Sequence, residues 1–247
     1  MRIALISDLH GNELALAAVL EDIERSGIDR IVCLGDVATL GPQPVAVLNR
    51  LRDLGCACIL GNHDEFLLEP SLVADYTDVR PIVDSIAWTR AQLGPSDLDF
   101  VSTFARSLEL PLGDAGTLLL FHGTPDSNVT DLLATTPAEH VDELLGARRA
   151  ALMAGGHTHI QMLRQHRGAL LVNPGSVGMP FREYVNRREP QVLAHAEYAC
   201  VEARGAVVSV ELRRIALDAR SLANAARAVD NPLSPWLASM YAASLGA

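Results

Sequence analysis

Five short runs, Arg2–Ser7, Ile31–Leu34, Ala57–Leu60, Leu118–Phe121 and Ala151–Ala154, are apolar almost throughout rather than at alternate positions. A strand with one wet face alternates, so this pattern predicts strands buried on both faces, as in a parallel sheet. Between the runs the period lengthens. Leu16, Leu20 and Ile23 predict a helix over Glu13–Ser26 that Gly27 stops, and a second helix over Pro44–Asp53 returns the chain to Cys56. These are two right-handed crossover units in series. From Phe66 to Arg106 no strand-like run occurs, and Ile82, Val83, Ile86, Trp88 and Leu93 predict mostly helices. A helix near Pro137–Leu145 precedes the Ala151 strand. Gln161–His166 and Ala169–Val172 flank Arg167-Gly168 as a hairpin, and Glu197–Glu202 and Val207–Arg214 flank Gly205 as another. Asp218–Val229 is an alanine-rich helix that Asn231-Pro232 ends.

The polar residues that interrupt this pattern fall in particular places. Asp8-Leu9-His10, Gly35-Asp36, Gly61-Asn62-His63-Asp64, His122-Gly123 and Gly156-His157-Thr158-His159 each follow the carboxyl end of one of the five apolar runs. Open α/β sheets place ligands outside the carboxyl ends of their strands, so five such ends predict one crevice. Taken singly, Asp8 and Asp36 are equally good helix caps. The histidines beside them tip the reading toward metal ligation, since a small core has no need of the paired imidazoles of His157 and His159 in a glycine-rich segment.

The ordered blocks D-x-H, G-D, G-N-H-D, H-G and G-H-x-H resemble the calcineurin-like metallophosphoesterase superfamily across residues 8–159. Gly35-Asp36-Val37 through Gly41-Pro42, together with Asn173-Pro174-Gly175-Ser176-Val177-Gly178, is similar to its small bacterial, diadenosine-tetraphosphatase-like phosphodiesterase branch. The resemblance implies an α/β fold, a four-layer α-β-β-α sandwich of two mixed sheets flanked by helices. It implies that Asp8, His10 and His159 hold one divalent ion, that Asn62, His122 and His157 hold a second, and that Asp36 bridges both.

Four imidazoles favour first-row transition metals over magnesium, which prefers oxygen and water, so manganese is expected first, with iron, zinc or nickel as alternatives. Two carboxylates against two divalent ions leave a local charge of about +2, which attracts an anionic phosphate. Ions roughly 3.5 to 4 Å apart lower the pKa of a shared water, and the expected reaction is attack of a metal-bridging hydroxide on a small phosphate ester, a diester first. His63, one residue beyond Asn62, is the expected general acid or charge stabiliser. Asp64 either fixes the His63 tautomer or caps a helix. Asn12 either caps the helix beginning near Glu13 or points its amide at the phosphate. One of Arg182, Arg187 and Arg188 is placed to grip a phosphate, and Arg182 is the first candidate. The Asn173–Gly178 segment reads as a tight turn at the rim, and His140, His166 and His195 as ordinary surface or turn residues.

Length and composition bound the rest. A chain of 247 residues that is 49% hydrophobic has enough apolar material for one α/β domain over 1–247, with a helical segment at 65–106 that either caps the site or links two half-sheets. The charge of −10 argues against a nonspecific nucleic-acid surface, so a small phosphorylated substrate is the expected partner, and self-association is left open. All 20 basic residues are arginine, which excludes Schiff-base and phosphate-loop lysine chemistry. Cys33, Cys56, Cys58 and Cys200 sit in apolar runs and read as reduced core thiols. With no membrane span or leader expected, these thiols suggest the cytoplasm. Aromatic residues make up only 4%, so stacking platforms for a nucleobase are scarce, although Phe66, Tyr76, Trp88, Phe181 and Tyr184 are close enough in sequence to the motifs to serve. A non-catalytic interaction or sensing protein on the same fold is the competing class, because fold alone does not set function.

Overall fold

The computed structural model describes residues 1–185 and 188–244. Strands β1 (Arg2–Ile6), β2 (Arg30–Cys33) and β3 (Ala57–Cys58) run parallel and are joined by helices α1 (Glu13–Arg25) and α2 (Pro44–Leu54). The chain then passes through α3 (Asn62–Leu68), α4 (Val73–Tyr76), α5 (Arg80–Gln92) and α6 (Pro95–Ser102) before entering a second sheet at β4 (Leu108–Pro111). That sheet continues with β5 (Thr117–Leu120), helix α7 (Ala138–Leu145), β6 (Leu152–Ala154), β7 (Met162–His166) and β8 (Ala169–Asn173), in the spatial order β4-β5-β6-β8-β7. The hairpin of β9 (His195–Arg204) and β10 (Val207–Ala216) returns to the first sheet, whose order is β10-β9-β1-β2-β3. Helices α8 (Ala219–Arg227) and α9 (Ser234–Ala243) follow.

The two faces of β1 show how the layers form. Ile3 and Leu5 pack with Leu118, Leu120, Leu152 and Val172, so they face the second sheet. Ala4 and Ile6 pack with Leu16, Val19, Val47 and Leu51, so they face α1 and α2. On the far side of the second sheet, Phe121, Met153 and Leu171 pack with Val141 and Leu145 of α7. The result is the expected four-layer α-β-β-α sandwich of two mixed five-stranded sheets.

Two elements were absent from the sequence pattern. Glu109 and Pro111 break the apolar run of β4, yet an edge strand tolerates both, since only one side is paired, antiparallel to β5. Helix α9 follows Asn231-Pro232, where the pattern reads as a stop, and it buries Leu237, Ala238 and Tyr241. The 65–106 segment is helical as read and carries the chain from one sheet to the other. Its Phe66, Val73 and Ile86 share an apolar cluster with Leu222, Leu237 and Tyr241 of the C-terminal helices. Among the described residues no helix is long and apolar enough to cross a membrane.

Candidate metal centre

The ligand segments leave their strands through unusual backbone. Asp8, His10, Asp36, His157 and His159 have φ of 53°, 44°, 57°, 69° and 58°. The left-handed region costs a non-glycine residue about 1–2 kcal/mol, so packing around these turns must over-determine them. Hydrogen bonds between segments do so. Asp8 N donates to Gly35 O at 2.9 Å, His10 N to Asp36 O at 3.0 Å and Gly178 N to Asp8 O at 3.0 Å. The His157 N–H points at both carboxylate oxygens of Asp8, at 3.2 and 3.1 Å. A Cβ on Gly156 would stand 2.6 Å from Asp8 Oδ2 and closer still to Ser7 Oγ. Gly156→Ala is therefore expected to lower stability by about 1–3 kcal/mol through overpacking and to displace Asp8. Chemical denaturation and metal analysis of the same sample check both effects.

The imidazoles are oriented from behind. His122 Nδ1 donates to Leu34 O at 2.6 Å, His159 Nδ1 to Met179 O at 2.7 Å and His10 Nδ1 to Thr39 O at 3.3 Å. Each leaves its Nε2 to face inward, the arrangement that second-sphere carbonyls give metal-ligating histidines. As a consequence, Nε2 of His10 and Nε2 of His159 face each other at 3.0 Å, which requires a proton or a cation between them.

The donors fall into two groups, Asp8/His10/His159 and Asp36/His122/His157, with ligand atoms within 4.8 Å of one another in each. Asp36 Oδ2 stands between them, 3.8 Å from His10 Nε2 and 3.4 Å from His122 Nε2. Asn62 is fully buried, and neither its amide oxygen nor its nitrogen has a hydrogen-bond partner; His122 Nε2 has none either. Leaving such groups unpaired costs about 1–3 kcal/mol each, and a divalent ion would remove that cost at the Asn62 amide oxygen and at a deprotonated His122 Nε2. The residues present fit a pair of metal ions.

Charge is concentrated here as well. Burial opposes a proton on His122, yet Asp36 and Asp8 outweigh it and push its pKa up to about 10. Burial and the neighbouring His159 push His10 down to about 3, while burial raises Asp36 but the surrounding imidazoles hold its carboxyl well below the usual range. At pH 7 the metal-free His122 thus carries a proton that its Nε2 must release to bind an ion, so metal affinity rises with pH through neutrality. At least about one proton per chain should leave on loading at pH 7, read by calorimetry in buffers of different ionisation enthalpy. Loading without proton release would contradict this account.

Residues 1–199 match the calcineurin-like phosphoesterase superfamily domain. The chain belongs to that superfamily. It is 29% identical over 251 aligned positions to an uncharacterized protein of Methanocaldococcus jannaschii, covering 95% of both chains. A symmetrical bis(5'-nucleosyl)-tetraphosphatase of Bordetella pertussis is 33% identical over 122 residues, which is 48% of this chain and 42% of that protein. The crystal structure of a metallophosphoesterase from Sphaerobacter thermophilus superposes with a TM-score of 0.74 at 24% identity, over 97% of this chain and 100% of the other, and so shares the fold.

Within this superfamily member the remaining expected site residues are distributed unevenly. His63 lies at the centre: its ring packs edge-on against His10 at 5.2 Å, its N–H donates to Asp36 Oδ1 at 2.9 Å, and its Nδ1 is buried without a partner. Phe66 and Tyr76 wall the same ring at 5.4 and 6.0 Å, and Phe181 stacks on His159 at 4.3 Å.

Asp64 does not orient His63. Its carboxylate accepts the N–H groups of Asp36, Val37 and Gly61 at 2.8, 2.9 and 3.0 Å, which caps α3 and ties the two ligand loops together. Asn12 is likewise a cap: Oδ1 accepts from Ala15 N at 3.1 Å, and Nδ2 donates to Gly178 O at 2.9 Å and to the Tyr241 hydroxyl at 3.5 Å, so both of its N–H groups have partners. Arg182 is exposed and its guanidinium donates to Gln191 Oε1 at 3.0 Å, a contact along its own loop. Arg188 is exposed, and Arg187 lies outside the described residues.

The Asn173–Gly178 turn is buried rather than at the rim. Asn173 Nδ2 donates to Gly156 O at 2.6 Å and Ser176 Oγ donates to Asp8 O at 2.6 Å, so it clamps two ligand segments from beneath. The family resemblance marked this segment but not this role. His166 is buried and paired with Asp142 at 2.7 Å, His195 pairs with Glu197 at 2.9 Å, and His140 is exposed. Trp88 donates to Asp230 at 2.8 Å, in the α8–α9 connection. Asp131 carried no motif, yet its Oδ1 lies 3.5 Å from His157 Nε2 and its Oδ2 accepts from the Tyr184 hydroxyl at 2.5 Å.

Proposed function

We propose that this chain is a dinuclear-metal phosphoesterase that hydrolyses small phosphate esters, diesters first. The observation that carries the reading is the facing pair of donor groups with Asp36 between them, together with the buried, unpartnered amide of Asn62, the residue before His63, whose backbone N–H donates to Asp36. Asp8, His10 and His159 would hold one ion, Asn62, His122 and His157 the other, and Asp36 would bridge, with manganese as the first candidate and iron, zinc or nickel as alternatives. When bound, the two ions lower the pKa of a shared water, grip the phosphoryl oxygens and stabilise an in-line transition state.

The chain's own residues do the rest. Leu34, Met179 and Thr39 carbonyls fix the imidazoles of His122, His159 and His10, which keeps these donors aligned before substrate arrives. His63, fixed through Asp36 and walled by aromatic rings, presents a ring N–H to a phosphoryl or leaving oxygen. The Bordetella relative's name denotes action on a dinucleoside tetraphosphate, and Phe66, Tyr76 and Phe181 around the donors make such nucleotides worth including among substrates.

Metal analysis and turnover of bis(p-nitrophenyl) phosphate on the same preparation test the reading. Two ions per chain with metal-dependent turnover support it. A protein that binds metal without hydrolysing monoesters, diesters or dinucleoside polyphosphates belongs instead to a non-catalytic, interacting or sensing class.

A further inference from the structure

We propose that the Asp131 carboxylate, fixed by the Tyr184 hydroxyl beside the His157 imidazole, selects phosphodiesters over phosphomonoesters by its charge. The inference rests on the phosphoesterase reading above. Asp131 Oδ1 is 3.5 Å from His157 Nε2, the same separation as that between Asp8 Oδ1 and His159 Nε2 inside the donor set. Asp131 nevertheless belongs to neither donor group. Its carboxylate, 3.5 Å from the His157 ring, stands at the edge of the centre.

Exposure distinguishes it further. The Asp131 side chain is 41% exposed, whereas those of Asp8 and Asp36 are 0% and 2% exposed, so Asp131 lies on the side open to solvent. The Tyr184 hydroxyl donates to its other oxygen at 2.5 Å, which holds the carboxylate in one orientation. A diester carries one negative charge. A monoester carries about two near neutral pH, because its second pKa is about 6. A fixed like charge beside the phosphate position disfavours the second charge more than the first, which is selection by repulsion.

The test compares bis(p-nitrophenyl) phosphate with p-nitrophenyl phosphate on metal-loaded wild type, Asp131→Asn and Tyr184→Phe. The monoester-to-diester ratio of kcat/KM should rise about 3- to 10-fold in Asp131→Asn, a partly screened single-charge effect that shrinks as salt is added. Tyr184→Phe should give a smaller rise, and the double variant no more than Asp131→Asn alone, because the hydroxyl acts through the carboxylate. Calorimetric affinity of the metal-loaded protein for inorganic phosphate should tighten by a similar factor. An unmoved ratio or an unmoved phosphate affinity overturns the proposal, as does loss of metal in Asp131→Asn, which would make the residue a ligand. Wild-type turnover of neither ester overturns the phosphoesterase reading itself, and the phosphate titration still judges the charge.

Discussion

Asp36→Asn should remove metal and activity together. Asp36 is buried, its Oδ1 accepts the His63 N–H at 2.9 Å, and its Oδ2 faces Nε2 of both His10 and His122. An amide of the same shape keeps the fold but halves the negative charge of a donor set whose only carboxylates are Asp8 and Asp36. It also turns an NH2 group either toward the cations or toward the His63 N–H, and neither placement is favourable. Loss of Lewis-acid stabilisation worth several kcal/mol corresponds to at least about 10³-fold in turnover. Metal content should fall below two per chain, measured by elemental analysis after gel filtration. A variant with two ions and wild-type diester turnover would remove Asp36 from the bridging role.

Part of this centre is legible in one dimension because each ligand follows the end of an apolar run, and the strand direction alone then aims it at a common edge. The left-handed turns at Asp8, His10, Asp36, His157 and His159 are not legible in that way, since aspartate and histidine are ordinary residues there until packing forces the backbone over. The same limit explains Asp64. An Asp two residues beyond Asn62 fits both a histidine partner and a capping residue, and only the approach of the Asp36–Val37 loop, 28 residues away in sequence at Asp36, decides for the cap. For Asn12 the structure selects the cap of the two alternatives the sequence offers, whereas for Arg182 the partner on Gln191, which no sequence signal marks, determines where the side chain goes. Asp131 lies inside no motif and reaches His157 through the loop after His122, so no local pattern could have marked it. Strand β4 escaped because an edge strand needs only one apolar side, and Pro111 reads as a breaker anywhere but at an edge.

His63→Ala should keep both ions and lose turnover about 10²- to 10³-fold, the size of a lost transition-state donor. The ring is 6% exposed and packs on His10, yet His63 belongs to neither donor group, and the N–H that supports Asp36 is backbone and survives the substitution. Metal content should therefore stay at wild-type level, which separates this variant from Asp36→Asn. Burial lowers the His63 pKa, so the neutral ring is the form present near pH 7 in the metal-free protein, and a neutral ring donates a hydrogen bond more readily than it delivers a proton. Charge stabilisation of a phosphoryl oxygen then predicts an equal loss for esters of good and poor leaving groups. General acid catalysis predicts a loss that grows with the leaving-group pKa, because p-nitrophenolate needs no proton to depart and an alkoxide does. A leaving-group series on wild type and His63→Ala distinguishes the two roles, and an equal rate for both proteins across the series would exclude His63 from the chemistry.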